Sequence, residues 1–113
     1  FPDNPLRKLT PKRWGGVKTC NLSLWRKDFE KVNGLDESFQ GWGLEDSDLA
    51  VRLVNGEVFH KSVRYAALVF HLWHLQNSKN NLDNNLAHLK DTMRSNRVVA
   101  IKGLDQHFPR GGE

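Results

Sequence analysis

The stretch GWGLEDSDL, residues 41–49, combines one tryptophan and two glycines with three carboxylates. The carboxylates are those of Glu45, Asp46 and Asp48, and the aromatic ring is that of Trp42. Acidic residues in a first helical turn favour the positive end of the helix dipole, which is one role for them. A flat aromatic face beside carboxylates also suits a sugar, whose hydroxyls donate hydrogen bonds to the acids. The stretch therefore indicates either a helix N-terminus alone or a sugar site with a carboxylate aimed as a general base.

Two histidines, His71 and His74, lie three residues apart in the stretch HLWH. Neutral imidazole is a common ligand of transition metals. Residues three apart in an extended strand face opposite sides, so joint binding of one ion requires a turn between them. A metal site also needs further ligands, because zinc sites usually have three or four from the protein. The pair indicates either a metal site or two hydrogen-bonded side chains.

The composition is that of one small domain. The chain has 113 residues, of which 38% are hydrophobic and 27% are charged. The longest apolar run, YAALVF at 65–70, is far shorter than the roughly 20 residues of a membrane helix. The single cysteine, Cys20, excludes an intrachain disulfide and favours a reducing compartment. We therefore expect a cytoplasmic location, with peripheral membrane association as an extension of it.

The chain is moderately basic, with a net charge of +4 and a pI near 9.5. Much of the surplus lies early in the sequence, at Arg7, Lys8, Lys12, Arg13 and Lys18. Such a patch suits a nucleic acid, an anionic membrane surface or a phosphorylated ligand, and it is equally compatible with a solvated surface. Of these partners we expect no nucleic acid.

Hydrophobic spacing predicts three helices, over residues 26–35, 45–55 and 82–95. The third would carry Leu82, Leu86, Leu89 and Met93 along one side. Alternating or continuous apolar runs predict strands at 18–25, 57–60 and 63–74. The last of these strands is expected to be mostly buried. The order of elements favours an α/β fold with a small mixed sheet and about three helices.

The second helix carries a predicted apolar stripe and a predicted ion pair. Leu49 and Leu53 lie on one face, and Asp48 and Arg52 are spaced i,i+4 on the same helix. Gly56 follows the last periodic residue and is expected to end the helix.

The run NLSLWRKDFEKVNGLDESFQGWGLEDSDLAVRLVNG followed by HLWH resembles the C-terminal half of a GT-A glycosyltransferase domain of family 2 type. It is also similar to the C-terminal domain of β-1,4-galactosyltransferases and to polypeptide N-acetylgalactosaminyltransferases. The resemblance implies a catalytic subdomain over residues 15–96 and a tail over 97–113. Residues 1–14 would be an extended lead-in from an N-terminal nucleotide-binding half.

The resemblance implies a role for each residue of the opening motif. Asp46 would be the general base that takes the proton of the acceptor hydroxyl. Glu45 would bind the acceptor sugar, and Trp42 would lie where donor and acceptor meet. Asp48 would orient the loop or support the helix.

The metal and donor contacts follow less directly from the resemblance. The N-acetylgalactosaminyltransferase pattern places the metal ligand on His71, and the galactosyltransferase pattern places it on His74. Donor contacts would fall on Cys20, Asn21 and Gly43. The galactosyltransferases have a Gly-Gly pair where this chain has Thr19-Cys20, so the donor contacts depart from the family pattern.

The function implied is the acceptor side of an inverting, metal-dependent glycosyltransferase. It would move a sugar from a nucleotide-sugar, expected to be a UDP-sugar, to a glycan or glycolipid acceptor, with Mn²⁺ or Mg²⁺ as cofactor. The one Asp-x-Asp motif here, at Asp46 and Asp48, belongs to the acceptor side. We therefore expect a fragment that is inactive without its nucleotide-binding half or that self-associates. The alternative is a carbohydrate-binding module without turnover.

Overall fold

The computed structural model describes residues 14–63 and 67–108. Three α-helices form the frame: α1 at Arg26–Lys31, α2 at Glu45–Asn55 and α3 at Leu82–Arg94. Two short 3₁₀ helices lie at Thr19–Asn21 and Leu104–Gln106. No helix of the described ranges is long and apolar enough to cross a membrane.

Helix α2 has the limits that its apolar spacing predicts. It begins after Leu44, which has a left-handed backbone with φ of 76°, and three acids occupy its first turn. It ends at Gly56, whose N–H donates to the carbonyl of Arg52. Its apolar face buries Leu49 and Leu53, and α2 packs against α3.

The hydrophobic core is small. Its buried centre consists of Val32, Leu49 and Leu53. Apolar side chains from four other parts of the chain pack against it and are half-buried: Leu22, Leu24, Phe29, Val58 and Val98. The core therefore holds α2 against the C-terminal end of α1 and against the segment that follows α3.

A buried ion pair lies beside this core. Arg52 Nε donates to Asp48 Oδ2 at 2.7 Å, and both side chains are buried. Arg52 Nη1 also donates to the carbonyls of Val32 and Gly34, at 2.7 and 2.8 Å. Thr92 Oγ1 of α3 donates to Asp48 Oδ1 at 2.7 Å. The predicted i,i+4 pair is confirmed, and it joins α2 to α3 and to the end of α1 instead of lying on the surface.

The segment after α3 packs back onto the residues that follow α1. The N–H of Ala100 donates to the carbonyl of Val32, and the N–H of Leu104 donates to that of Asn33. Gly103 lies so close that an added Cβ would be 1.9 Å from the carbonyl oxygen of Asn33. The buried Asn33 side chain donates to Asp105 and accepts from its N–H, which closes this contact.

The predicted α/β fold with a small mixed sheet is wrong for the part of the chain that the structure describes, because this part is helical and contains no strand. The runs 18–25, 57–60 and 67–74 have strand-like composition, but a strand also needs a hydrogen-bonding neighbour. The predicted buried strand is instead exposed, with Phe70 95% and Trp73 89% accessible. Two parts of these predictions lie outside the described ranges. They are residues 64–66 of the predicted strand and residues 1–13 of the predicted lead-in, which include four of the five early basic residues.

Candidate active site

Asp46 lies in the first turn of α2 and is half-buried. Its Oδ2 accepts a hydrogen bond from the main-chain N–H of Thr19 at 3.0 Å. A bond from a backbone N–H orients a carboxylate without any flexible side chain on the donor side. Asp46 is therefore held by its helix and by the first 3₁₀ helix together.

The first 3₁₀ helix also brings two further candidate residues to this place. Cys20 and Asn21 follow Thr19 directly, and both are exposed. Asn21 Nδ2 donates to the carbonyl of Ala67 at 3.2 Å. The helix thus connects the Asp46 turn to the start of the exposed segment that contains the two histidines.

Trp42 lies in the loop before α2, and its ring is 41% exposed. The main-chain N–H of Trp42 donates a hydrogen bond to the carbonyl of Ser78 at 3.1 Å. Lys79 Nζ lies 4.5 Å from the centroid of the Trp42 ring, within cation–π range. Gly41 is required here, because its φ is +70° and an added Cβ would be 2.8 Å from the Ser78 oxygen.

Glu45 begins α2 and is half-buried, one residue before Asp46. Asp48 lies in the same first turn but is fully buried, and Arg52 and Thr92 donate hydrogen bonds to its two oxygens. The two neighbouring acids therefore differ from Asp48 in accessibility. Only Glu45 and Asp46 of the three remain accessible to a ligand.

Asn85 of α3 is a buried residue that the sequence reasoning missed. Its Nδ2 donates to the carbonyls of Gln40 and Gly43, at 2.9 and 3.0 Å. Its Oδ1 accepts from the N–H of Gln40 at 3.3 Å. Gly43, a predicted donor-binding residue, thus has its carbonyl bound by Asn85.

The apolar side of α3 that the spacing predicts is only partly buried, because Leu89 is buried and Leu82 is half-buried. Leu86 and Met93 are 39% and 43% exposed, whereas Asn85, Leu89 and Thr92 are buried. Hydrophobicity alone selected the leucines, but buried polar groups on this face satisfy polar groups of the facing loop and helix. The i, i+4, i+7 spacing of Asn85, Leu89 and Thr92 was the available signal.

The two histidines meet in the exposed segment. His71 Nε2 and His74 Nε2 are 3.1 Å apart, and the ring centroids are 5.0 Å apart with a tilt of 47°. His74 Nδ1 lies 3.0 Å from the carbonyl oxygen of Leu75. Because a carbonyl oxygen only accepts, this hydrogen bond requires the tautomer of His74 that carries its hydrogen on Nδ1. In that tautomer and without a metal, His74 Nε2 accepts a hydrogen bond from His71 Nε2.

This geometry fits two adjacent positions around one metal ion. Two imidazole nitrogens bound at about 2.0–2.1 Å in neighbouring positions lie roughly 3 Å apart. The bond from His74 Nδ1 to a main-chain carbonyl is the kind of outer contact that orients a ligating imidazole. Within residues 14–63 and 67–108, no group of three or more His, Cys, Asp or Glu side chains could hold a metal. The pair could supply two ligands, and the others would come from elsewhere.

Asp46 is thus held by its helix and by the Thr19 N–H, and it follows the exposed Trp42 closely in sequence, directly after a loop that contains two glycines. Residues 7–75 match a family described as the N-terminal domain of galactosyltransferase, and this match covers more than half of the chain. The chain belongs to that family.

The match corrects one expectation from sequence. The resemblance placed the chain in the C-terminal half of its enzyme, whereas the matching domain is described as N-terminal. The motif residues themselves carry no information about their position in a longer protein. The glycosyltransferase and galactosyltransferase resemblance is confirmed, and the family 2 assignment stays a prediction.

Three curated relatives share a short region with the chain. Two are validoxylamine A glucosyltransferases from Streptomyces hygroscopicus subspecies jinggangensis and limoneus. Each is 50% identical over 40 residues, which is 35% of this chain but only 10% and 9% of those proteins. The third is a xylosylprotein 4-beta-galactosyltransferase from Caenorhabditis elegans, 36% identical over 44 residues, or 39% of this chain and 14% of that protein. No solved structure matches the chain.

Proposed function

We propose that this chain forms the acceptor side of an inverting, metal-dependent glycosyltransferase that uses a nucleotide-sugar, most simply a UDP-sugar. The acceptor is a hydroxyl of a glycan or glycolipid. The observation that carries the proposal is that the family match over residues 7–75 includes the Trp42–Asp46 stretch and both histidines. The relatives named as glucosyl- and galactosyltransferases support sugar transfer as the reaction class.

Asp46 is the proposed general base. The acceptor oxygen forms a bond to the anomeric carbon as the bond from that carbon to the diphosphate oxygen breaks. The acceptor proton passes to the carboxylate of Asp46, and the diphosphate leaves with the bonding electron pair. The hydrogen bond from Thr19 supports this role, because a general base must be held within reach of the proton that it takes.

Trp42 and Glu45 are the proposed acceptor contacts. Lys79 lies against one face of the Trp42 ring, so we assign the sugar to the opposite face. Glu45, at the start of α2, would accept hydrogen bonds from the sugar hydroxyls. Both residues lie shortly before Asp46 in sequence, which supports an acceptor hydroxyl close to the proposed base.

His71 and His74 are the proposed protein ligands of a divalent cation, Mn²⁺ or Mg²⁺. Such an ion would neutralise the charge that develops on the leaving diphosphate. The remaining ligands and most donor contacts are assigned to a nucleotide-binding half elsewhere in the longer protein. The exposed apolar side chains around the two histidines support contact with another part of the longer protein.

The experiment uses the full-length protein with Mn²⁺, a panel of nucleotide-sugars and oligosaccharide acceptors. We expect release of nucleoside diphosphate that depends on both the acceptor and the metal, with inverted configuration in the glycosidic product. Chelation of the metal should abolish release, and Mn²⁺ should restore it. Carbohydrate binding without any release would overturn the proposal in favour of a non-catalytic binding module.

A further inference from the structure

We propose that Asn85 is a positioning residue of the acceptor site, which holds the loop Gln40–Gly43 so that Trp42 presents its ring in one orientation. This inference rests on the proposed function. Asn85 lies on α3, about 40 residues from the loop in sequence, and its side chain is fully buried. It contacts neither Trp42 nor Asp46 by a hydrogen bond that the structure shows, so its effect is exerted through the loop.

The chemistry of a carboxamide explains why this residue is asparagine. One Nδ2 group donates to two carbonyls, those of Gln40 and Gly43, and this uses both of its hydrogens. Oδ1 accepts from the N–H of Gln40. A carboxylate could accept that bond but could not donate either of the other two.

The loop needs a contact of this kind because its own backbone cannot form a regular element. Gly41, Gly43 and Leu44 all have positive φ, at 70°, 108° and 76°. A non-glycine residue with positive φ is strained and persists only when its surroundings determine that conformation. Asn85 binds the loop at Gln40 and Gly43, and the carbonyl of Ser78 accepts a hydrogen bond from the main-chain N–H of Trp42.

The position of Asn85 is itself fixed by the packing of its helix. Leu89 and Thr92 follow it on the same buried face of α3. Thr92 donates to Asp48 on α2, two residues after the proposed base. Helix α3 therefore helps to fix the position of the Trp42 loop relative to the first turn of α2, because it binds both.

The test compares Asn85→Asp, which removes both donors, with Asn84→Asp, which makes the same chemical change at the exposed neighbour on α3. Asn85→Ala provides a second variant without a buried charge, in case Asn85→Asp does not fold. In the full-length enzyme we expect the acceptor KM to rise about tenfold or more in the Asn85 variants, as for loss of a buried hydrogen bond. The donor KM should stay unchanged, as should both constants in Asn84→Asp.

Amide hydrogen exchange provides a readout that does not depend on turnover. In the Asn85 variants we expect faster exchange in residues 38–44, with exchange in α2 as in the wild type. Exchange and acceptor KM that both match those of Asn84→Asp would overturn the inference, as would uniformly faster exchange throughout the domain. If the wild-type enzyme transfers no sugar, the proposed function is wrong. If the Asn85 variants show wild-type exchange in residues 38–44, the contact of Asn85 with the loop has no positioning effect, whether or not the enzyme transfers sugar.

Discussion

The main-chain N–H of Thr19 donates a hydrogen bond to Asp46 Oδ2, and this bond joins the first 3₁₀ helix to the first turn of α2 across 27 residues of sequence. The proposed base is therefore oriented by backbone. A side-chain substitution at residue 19 leaves the donor in place, whereas proline removes it. This difference isolates the contribution of one hydrogen bond to the proposed reaction.

Thr19→Pro should lower kcat about tenfold, because a hydrogen bond to a charged group contributes roughly 1.5–3 kcal/mol. Proline is compatible with this position, since Thr19 opens its helix and Lys18 before it has an extended backbone. Thr19→Ala, which keeps the N–H, is the control and should retain kcat. Equal kcat values for the two variants, measured in the full-length enzyme, would show that the bond does not assist Asp46.

The buried Asp48–Arg52 pair should dominate the stability of the α2 region. Arg52→Met should lower the free energy of unfolding by about 3–5 kcal/mol, because it leaves the Asp48 carboxylate buried without its partner. The control is Arg94→Met, which breaks an exposed pair with Asp91 and should cost less than about 1 kcal/mol. Denaturant unfolding followed by circular dichroism measures both. A similar loss in the two variants would contradict the structural role of the buried pair.

The histidine pair should respond to substitution as a unit. His71→Ala and His74→Ala should each raise the Mn²⁺ concentration needed for half-maximal activity by more than about tenfold, since each would remove a metal ligand. Mn²⁺ binding followed by electron paramagnetic resonance should show the same loss. His107→Ala, which alters an exposed histidine paired with Glu37, serves as the control. If only one of the two variants loses affinity, the ion has a single histidine ligand in this segment.

Asp36 should make the fold sensitive to acid. Burial works against ionisation of this carboxyl, but hydrogen bonds from the N–H groups of Ser38 and Ile101 outweigh it and lower its pKa. A pKa lower in the folded state means that the folded protein binds this proton more weakly than the unfolded chain does. The stabilisation is complete above the ordinary carboxyl pKa, near 4, and is lost as the pH falls through the folded pKa.

Asp36→Asn should therefore be less stable than the wild type at pH 7, and the difference should shrink as the pH falls from about 5 to 3. Urea unfolding at a series of pH values measures this. Asp83→Asn, at an exposed carboxylate on α3, is the matched control. A stability difference between Asp36→Asn and the wild type that does not change with pH would show that the Asp36 carboxylate is not linked to folding.

The helices were predictable because their signals are local. The limits of α2 follow from its apolar spacing and from Gly56, and the Asp48–Arg52 pair follows from i,i+4 spacing. Residue types alone singled out the Trp42–Asp48 stretch, whereas the general-base role of Asp46 came from the family resemblance and stays a prediction. The hydrogen bond that orients Asp46 was not predictable, because it depends on a backbone group distant in sequence.

The sheet was mispredicted and the burial of Asn85 was missed, because both depend on partners elsewhere in the chain. A run such as residues 67–74 has strand-forming residues, yet the described chain supplies no neighbouring strand to pair with it. Asn85 is buried because Gln40 and Gly43 present unpaired main-chain groups to it. Nothing in the hydrophobicity of α3 reveals that requirement.

The central claim is that Asp46 is the general base of sugar transfer, and kcat of Asp46→Asn in the full-length enzyme tests it most directly. Asparagine keeps the size of the side chain but cannot take a proton, so kcat should fall about 10²–10⁴-fold while acceptor affinity is retained. Glu45→Gln is the matched control and should mainly raise the acceptor KM. A wild-type kcat in Asp46→Asn would contradict the account.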